Sequence, residues 1–302
     1  MALNEEKNIP RLIESLKDCE EIIIADGGSS DKTVELAKSL SATVYFRNDK
    51  KYTPTQEDID KFTKQFGYIP RFTTESSFMN ASEIRNEVVT HAKNDWIFFP
   101  DADEFVTWDF FEIQKITEQC DQIECKLIHS RDGKYWNNIS KLYNKKACSW
   151  GGKIHEVISG GRIIHSDAMK IDHYPNSKQG NVWAALEYNV LKDGDARSVF
   201  YLGREYYYYK EYQKSLDMFN RYMKVAWWRP EIAEAWLFMA KCCWEIQRGD
   251  DARQYCLKAI SVNPDFKEAL ELMSEYTGED QKEYWKRYAD IATNHNVVFV
   301  KG

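Results

Sequence analysis

Short apolar runs alternate with polar, amphipathic stretches over the first hundred residues of the chain. Residues 22–25 (Ile-Ile-Ile-Ala) and 96–99 (Trp-Ile-Phe-Phe) contain no polar position. Runs this brief, rich in aromatic or β-branched side chains, predict strands covered on both faces. Residues 43–46 predict a third strand. After the first run comes Asp26-Gly27-Gly28-Ser29-Ser30-Asp31, in which the glycines let the backbone approach a ligand. Ser30 or Asp31 can cap the helix announced by Val34, Leu36, Ala37 and Leu40. Strands alternating with helices imply an α/β domain, with a mostly parallel sheet and helices on both faces. Further helices are predicted at 56–66, 81–89 and near 110–119, and shorter strands at 122–129 and 139–143. Residues 47–80 are polar outside their helix and too long for an ordinary connection, which predicts a functional insertion.

Beyond about residue 180 the pattern becomes helical throughout, and it repeats. Val199, Leu202, Gly203, Tyr206, Ser215, Phe219 and Tyr222 have the offsets of the tetratricopeptide helix-turn-helix unit. Trp236, Met239, Ala240, Cys243, Ala252, Cys256, Ala259 and Pro264 repeat them, and a partial third unit is expected near Glu268. Such units bury their apolar faces only by stacking. The expected division is therefore an α/β domain over residues 1–178 and an all-α, tetratricopeptide-like domain over 179–302. The aromatic run 206–209 and the pair Trp227-Trp228 are read as helix packing rather than as a ligand-stacking surface.

With 302 residues, 43% of them hydrophobic, the chain has ample material for a core. No run approaches the ~18 apolar residues of a membrane span, and residues 1–7 show no signal-peptide pattern, so a cytoplasmic location is expected. Seven cysteines without paired Cys-x-x-Cys spacing are read as reduced packing residues. A net charge of −7 disfavours a whole-chain grip on nucleic acid.

The candidate chemistry sits where the run 96–99 ends at Pro100. In open α/β sheets ligands gather beyond the carboxyl ends of strands, and Asp101-Ala102-Asp103-Glu104 falls there. On an extended backbone Asp101 and Asp103 would leave the same side, offering two hard oxygen donors to Mg²⁺ or Mn²⁺ shared with phosphate oxygens. Two other Asp-x-Asp triplets, at 58–60 and 193–195, lie in polar stretches and are read as solvated surface.

Four ordered blocks then acquire a common meaning. Asn4-Glu5-Glu6, the segment 25–33, Arg85-Asn86 and the segment 101–104 together resemble the family 2 glycosyltransferases of the GT-A nucleotide-diphospho-sugar transferase fold, over about residues 2–175. Lys153-Ile154-His155-Glu156 is similar to the Val-His-Glu motif of a branch related to bacterial β-glucosyltransferases, and the helical tail resembles that of bacterial and phage members.

The resemblance implies that Asn4, Glu5, Asp26, Arg85 and Asp101 bind the nucleotide-sugar. It assigns the cation to Asp101, Asp103 and His173, and the acceptor side to Trp150 and His155, with the insertion as an acceptor-side lid. An inverting transfer needs a base, for which Glu156 is the first candidate and Asp172 the second. Glu104 is either a third candidate or a carboxylate orienting the metal site.

The implied donor is a UDP-sugar, with glucose as the guess. The acceptor is left open among a saccharide, a lipid-linked saccharide, a protein side chain and a modified DNA base. A protein partner or a homodimer through the helical repeats would also fit. The apolar strand that family members carry before Asn-Glu-Glu is here only Met1-Ala2-Leu3. That departure supports an alternative, a catalytically impaired scaffold binding a partner through its repeats. A nucleotidyltransferase is disfavoured because no Gly-x-Gly-Thr-Arg loop is present.

Overall fold

A computed structural model describes residues 1–47, 49–129, 136–174 and 182–292. The described residues form two compact units, one within 1–53 and 77–174, the other within 54–76 and 182–292. The expected boundary at 178/179 lies outside the described residues. An α/β region followed by a helical region is found as expected, but the insertion 54–76 folds with the helices.

In the first unit α1 (Ile9–Ser15) precedes β1 (Ile23–Asp26), α2 (Thr33–Ser39) and β2 (Thr43–Phe46). β1 and β2 pair in parallel, as a strand-helix-strand unit requires. A short antiparallel pair, β3 (Lys51–Tyr52) and β4 (Phe78–Met79), then leads to α4 (Ala81–Val89), which follows the insertion helix α3 (Gln56–Phe66) in chain order.

A mixed sheet follows, made of β5 (Trp96–Phe98), β6 (Glu104–Trp108), β7 (Gln122–Ile128) and β8 (Trp136–Asn144). Beyond α5 (Phe110–Thr117) and the antiparallel pair β9 (Ser149–Gly151) and β10 (Val157–Ser159), β11 (Ile163–His173) completes it in the order β5-β8-β7-β11-β6. Here the mostly parallel expectation is corrected, because only β7 and β11 run parallel. Of the antiparallel pairs in this sheet only β7 and β8 follow one another in the chain, too closely for the crossover of about a dozen residues that a parallel pair needs. β5 is also an edge strand and only half-buried, not covered on both faces.

The core of this unit joins Ile9, Leu12, Ile24 and Ala37 to Phe105, Ile123, Cys125, Met169 and Ile171. A second cluster under α4 unites Ile84, Val88, Phe99, Tyr143 and Trp150.

The second unit contains α3, α6 (Trp183–Lys192), α7 (Ala196–Tyr208), α8 (Tyr212–Tyr222) and α9 (Arg229–Glu245), then α10 (Gly249–Val262), α11 (Lys267–Tyr276) and α12 (Glu279–Ile291). Consecutive helices from α6 onward pack against one another. The repeat positions do bury: Leu202, Tyr206, Ser215, Phe219, Met239, Ala240, Cys243, Ala252, Cys256 and Ala259 are all fully inaccessible. At Gly203 a Cβ would stand 3.1 Å from the Phe219 ring, so glycine sets the approach of α7 to α8. All seven cysteines are free thiols, six of them buried.

The insertion is fastened from within this unit. Thr55 and Asp58 form a reciprocal cap on α3, and Asp58, only 4% exposed, also accepts from Lys192. The solvated-surface expectation for Asp58 is thereby overturned. Asp195 instead caps α7 by accepting from Ser198 N. The buried Glu187 carboxylate accepts from Trp183 Nε1, Tyr206 OH and Arg71 N, while Tyr68 OH meets Tyr206 OH at 2.8 Å.

Glu231 gives a prediction. It is 5% exposed, and its Oε1 has no hydrogen-bond partner among the described residues. Burial pushes its carboxyl up to about 7 from 4.5, against the opposing pull of Arg197 and Arg204. The folded state thus keeps a proton that the unfolded chain has lost, so stability falls as pH rises from about 4.5 to 7. Glu231→Gln is expected to remove that slope and to raise stability at pH 8 by about 3 kcal/mol. Thermal unfolding of both proteins across this range checks it, and parallel curves would contradict it.

The Trp227-Trp228 pair departs from the packing expectation. Trp227 is 81% exposed in the loop between α8 and α9.

Candidate active site

The Asp-Gly-Gly turn after β1 is built from its own polar groups. The buried Asp26 carboxylate accepts from Gly28 N, Ser29 N and the Ser29 hydroxyl, so it shapes the loop from within. Asn4, at φ +57°, accepts from Ser30 N through Oδ1, and its own N–H donates to Ser29 Oγ. Glu5 N donates to Thr33 Oγ1, and the Glu5 carboxylate accepts from Asn8 Nδ2. Asn4 and Glu5 therefore tie one loop to the other. Ala2 joins β1 through a single parallel bridge to Asp26. Arg47 lies so close to Gly27 that a Cβ there would collide with its guanidinium. No local pattern announces that contact.

At the end of β5 the structure departs from the extended geometry. Glu104 N donates to Asp101 O at 3.1 Å, closing a turn over 101–104, and Asp101 and Asp103 turn to separate partners. Asp101 Oδ1 accepts from Arg85 Nη2 and Oδ2 from Lys141 Nζ, each at 2.8 Å. Glu104, buried at 3% exposure, accepts from Asp101 N and from Lys141. Arg85 Nε donates to Glu156 Oε1 at 2.8 Å.

The Arg85 guanidinium lies against the rings of both Phe99 and Trp150, 4.9 and 4.7 Å from their centroids. Trp150 itself is buried, donates to Tyr143 OH and exchanges hydrogen bonds with Asn86, so it forms the floor beneath Arg85 rather than an acceptor face. His155 lies half-buried in the 152–156 turn, which docks on the start of α4 through Ala81 N and Ser82 Oγ.

Three carboxylates thus meet two buried cations. Burial alone would raise the Asp101 carboxyl, but Lys141 and Arg85 outweigh it and hold the group far below the usual carboxylate range. Burial likewise opposes the charge on Arg85 and on Lys141, and their carboxylate partners reverse the effect, raising both. Arg85 Nη1 is buried and has no hydrogen-bond partner among the described residues. A buried guanidinium with one unused donor suits an incoming anion.

Asp103 lies on the other side of the turn, its Oδ2 3.3 Å from His173 Nε2. This contact with Asp103 raises the His173 pKa despite burial. Two cis ligands of an octahedral Mg²⁺ or Mn²⁺ stand about 3 Å apart, so this pair fits two positions of such a cation. Asp101 stands apart from this pair, its two oxygens accepting from Arg85 and Lys141. Among the described residues no group of three or more His, Cys, Asp or Glu could hold a metal ion. Asp172 pairs through its backbone with Phe105 and Ile128, and strand alternation sends its side chain to the face opposite His173.

Lys141 is the residue that sequence reasoning missed. Its neighbours on β8 read as an ordinary alternating strand, and only the register Phe98–Leu142 brings it to the acidic turn.

Residues 1–55 match the family model described as glycosyl transferase family 2. An "Uncharacterized glycosyltransferase" of Rickettsia bellii (strain RML369-C) is 28% identical over 178 residues, covering 54% of this chain and 51% of that protein. The SPbeta prophage-derived glycosyltransferase SunS of Bacillus subtilis (strain 168) is 21% identical over 239 residues, 72% of this chain and 50% of that protein. The chain spans about half the length of these curated relatives. Among solved structures, one of MamA overlaps 36% of this chain and 63% of its own, at 20% identity and a TM-score of 0.31.

Proposed function

We propose that this chain is a metal-dependent, inverting glycosyltransferase that moves a hexose from a nucleotide-diphospho-sugar, UDP-glucose being the first donor to test. The observation that carries this reading is Arg85, pinned by Asp101 and Glu156 with Nη1 left unused in a buried site. Relatives named as glycosyltransferases and the match over residues 1–55 support it. In this reading the bond from sugar C1 to the diphosphate oxygen breaks as the acceptor bonds to C1. Arg85 faces the negative charge that develops on the departing phosphate. A divalent cation held by Asp103 and His173 supplies further positive charge toward that group when bound. Glu156 takes the acceptor proton, its carboxylate oriented by Arg85 Nε, whereas Asp172 faces away from the Asp103–His173 pair. Asp26, Asn4 and Glu5 act by holding the nucleotide loop in shape. The acceptor is a saccharide, a lipid-linked saccharide, a protein side chain or a modified DNA base, and the helical unit, read as tetratricopeptide-like, is a surface for a protein partner.

Released nucleotide is to be measured over a panel of UDP-, GDP-, dTDP- and CMP-sugars with Mn²⁺ or Mg²⁺. Turnover of one donor class is expected, with Asp103→Asn lowering it about 10- to 100-fold and weakening its dependence on added cation. Absence of both turnover and calorimetric binding for every donor would sink the proposal.

A further inference from the structure

The loop from α8 to α9 carries aromatic surface that the helical packing does not use. Val225 is 52%, Trp227 81% and Trp228 38% exposed. Isolated exposed leucines or valines are ordinary, but a tryptophan this open is not, because its ring is among the largest apolar areas a side chain can hide. The loop is held at both ends. Val225 N and Ala226 N both donate to Tyr222 O, and Trp228 O accepts from Ile232 N to begin α9. The rings are therefore presented by a short, hydrogen-bonded turn.

Cations cluster at this tip. Residues 221–229 read Arg-Tyr-Met-Lys-Val-Ala-Trp-Trp-Arg, three cations and no carboxylate, in a chain of net charge −7. On the C-terminal side the next acids, Glu231 and Glu234, are buried at 5% and 8% exposure, and on the N-terminal side the exposed Asp217 shares a hollow with Arg221 and Lys224. Tyr68 and Lys224 line the same hollow of about 330 Å³, which brings the turn bearing Ile69, 77% exposed, beside the loop.

We propose that this tip, with Lys224, Val225, Trp227, Trp228 and Arg229, docks on an anionic phospholipid surface. Indole rings settle at the headgroup level, where one edge is apolar and the N–H is wet, and flanking cations are drawn to anionic headgroups. A few exposed residues on one tip are too small for a stable protein interface, which needs about 800 Å² per partner. A symmetric contact between two copies would set the same cations against each other. No helix of the described residues is long and apolar enough to cross a membrane, so the contact is peripheral.

The inference does not rest on the transferase reading, because vesicle binding is measured without turnover. The full chain is floated with vesicles of phosphatidylcholine alone and of phosphatidylcholine mixed with phosphatidylglycerol, at low and high salt. Binding is expected to the mixed vesicles and to weaken with salt. Trp227→Ala with Trp228→Ala should lower the partition about tenfold or more, and Lys224→Gln about fivefold at low salt. Where circular dichroism shows that the double variant has lost helix, Trp227→Ala alone serves, since that side chain is 81% exposed. Equal binding by wild type and variants, or no binding to either vesicle, overturns the proposal. So does a dimer in sedimentation velocity that the tryptophan variants dissociate, in the absence of vesicle binding.

Discussion

Arg85→Ala is expected to lower turnover of the preferred donor by about 10²- to 10³-fold, the usual cost of removing a preorganised donor that faces developing charge. It should also destabilise the first unit by about 3 kcal/mol, toward the low end of the cost of breaking a buried ion pair. The low end applies because the Asp101 side chain is 40% exposed, so water partly replaces the lost partner, whereas that of Glu156 is 15% exposed. Arg85→Lys separates fork geometry from charge. One ammonium cannot reach two carboxylates bonded through Nε and Nη2, nor reproduce the planar contacts with Phe99 and Trp150. Lysine restores only the positive charge, so part of the stability should return while most of the turnover stays lost. Released-nucleotide rates and urea unfolding of both variants read the two effects apart. A folded Arg85→Ala protein with normal turnover would remove Arg85 from the chemistry.

What the sequence made legible was local. Helices α3 and α4 occupy the expected 56–66 and 81–89, and the structure shows why they stop there: Thr55 and Asp58 cap the first, Gly67 at φ +80° ends it, and Asn80 caps the second. The Asp-Gly-Gly turn and its following helix are equally readable, because every group that shapes Asp26 lies within three residues of it. The illegible parts depend on pairing at a distance. Whether 101–104 is extended or turned is decided by Lys141, forty residues away, and by Tyr174 N, which donates to Asp103 O. Lys141 on a strand of mixed polarity looks like a solvent-facing position until the β5–β8 register is known. The insertion is a similar case: Phe62, Phe66, Tyr68 and Phe72 show that it carries a small apolar core, but not that Glu187 and Tyr206 will fasten it. Trp227 erred in the opposite sense, since helical spacing predicted burial and the turn after α8 exposes it.

Lys141→Met is expected to destabilise the first unit by about 3–5 kcal/mol near neutral pH, because Lys141 and Glu104 are 4% and 3% exposed and solvent cannot stand in for the lost ammonium. The loss should depend on pH with a definite sign. In the wild type the Asp101 carboxyl is depressed below 3.8, so its contribution is present above that value and disappears as pH falls through the lower folded-state value. Without Lys141, only Arg85 opposes the burial that disfavours this charge, and the depression shrinks. The gap between wild type and variant should thus widen as pH rises toward about 4, stay level above it and narrow in acid, which urea unfolding at several pH values measures. Adding Glu104→Gln to Lys141→Met removes the second buried charge together with the first. Replacing both partners of a buried pair is often near neutral, so the double variant should recover much of the single variant's loss. A double variant no more stable than Lys141→Met would mean that the lysine acts chiefly by filling space under the acidic turn, and the electrostatic account of that corner would fall.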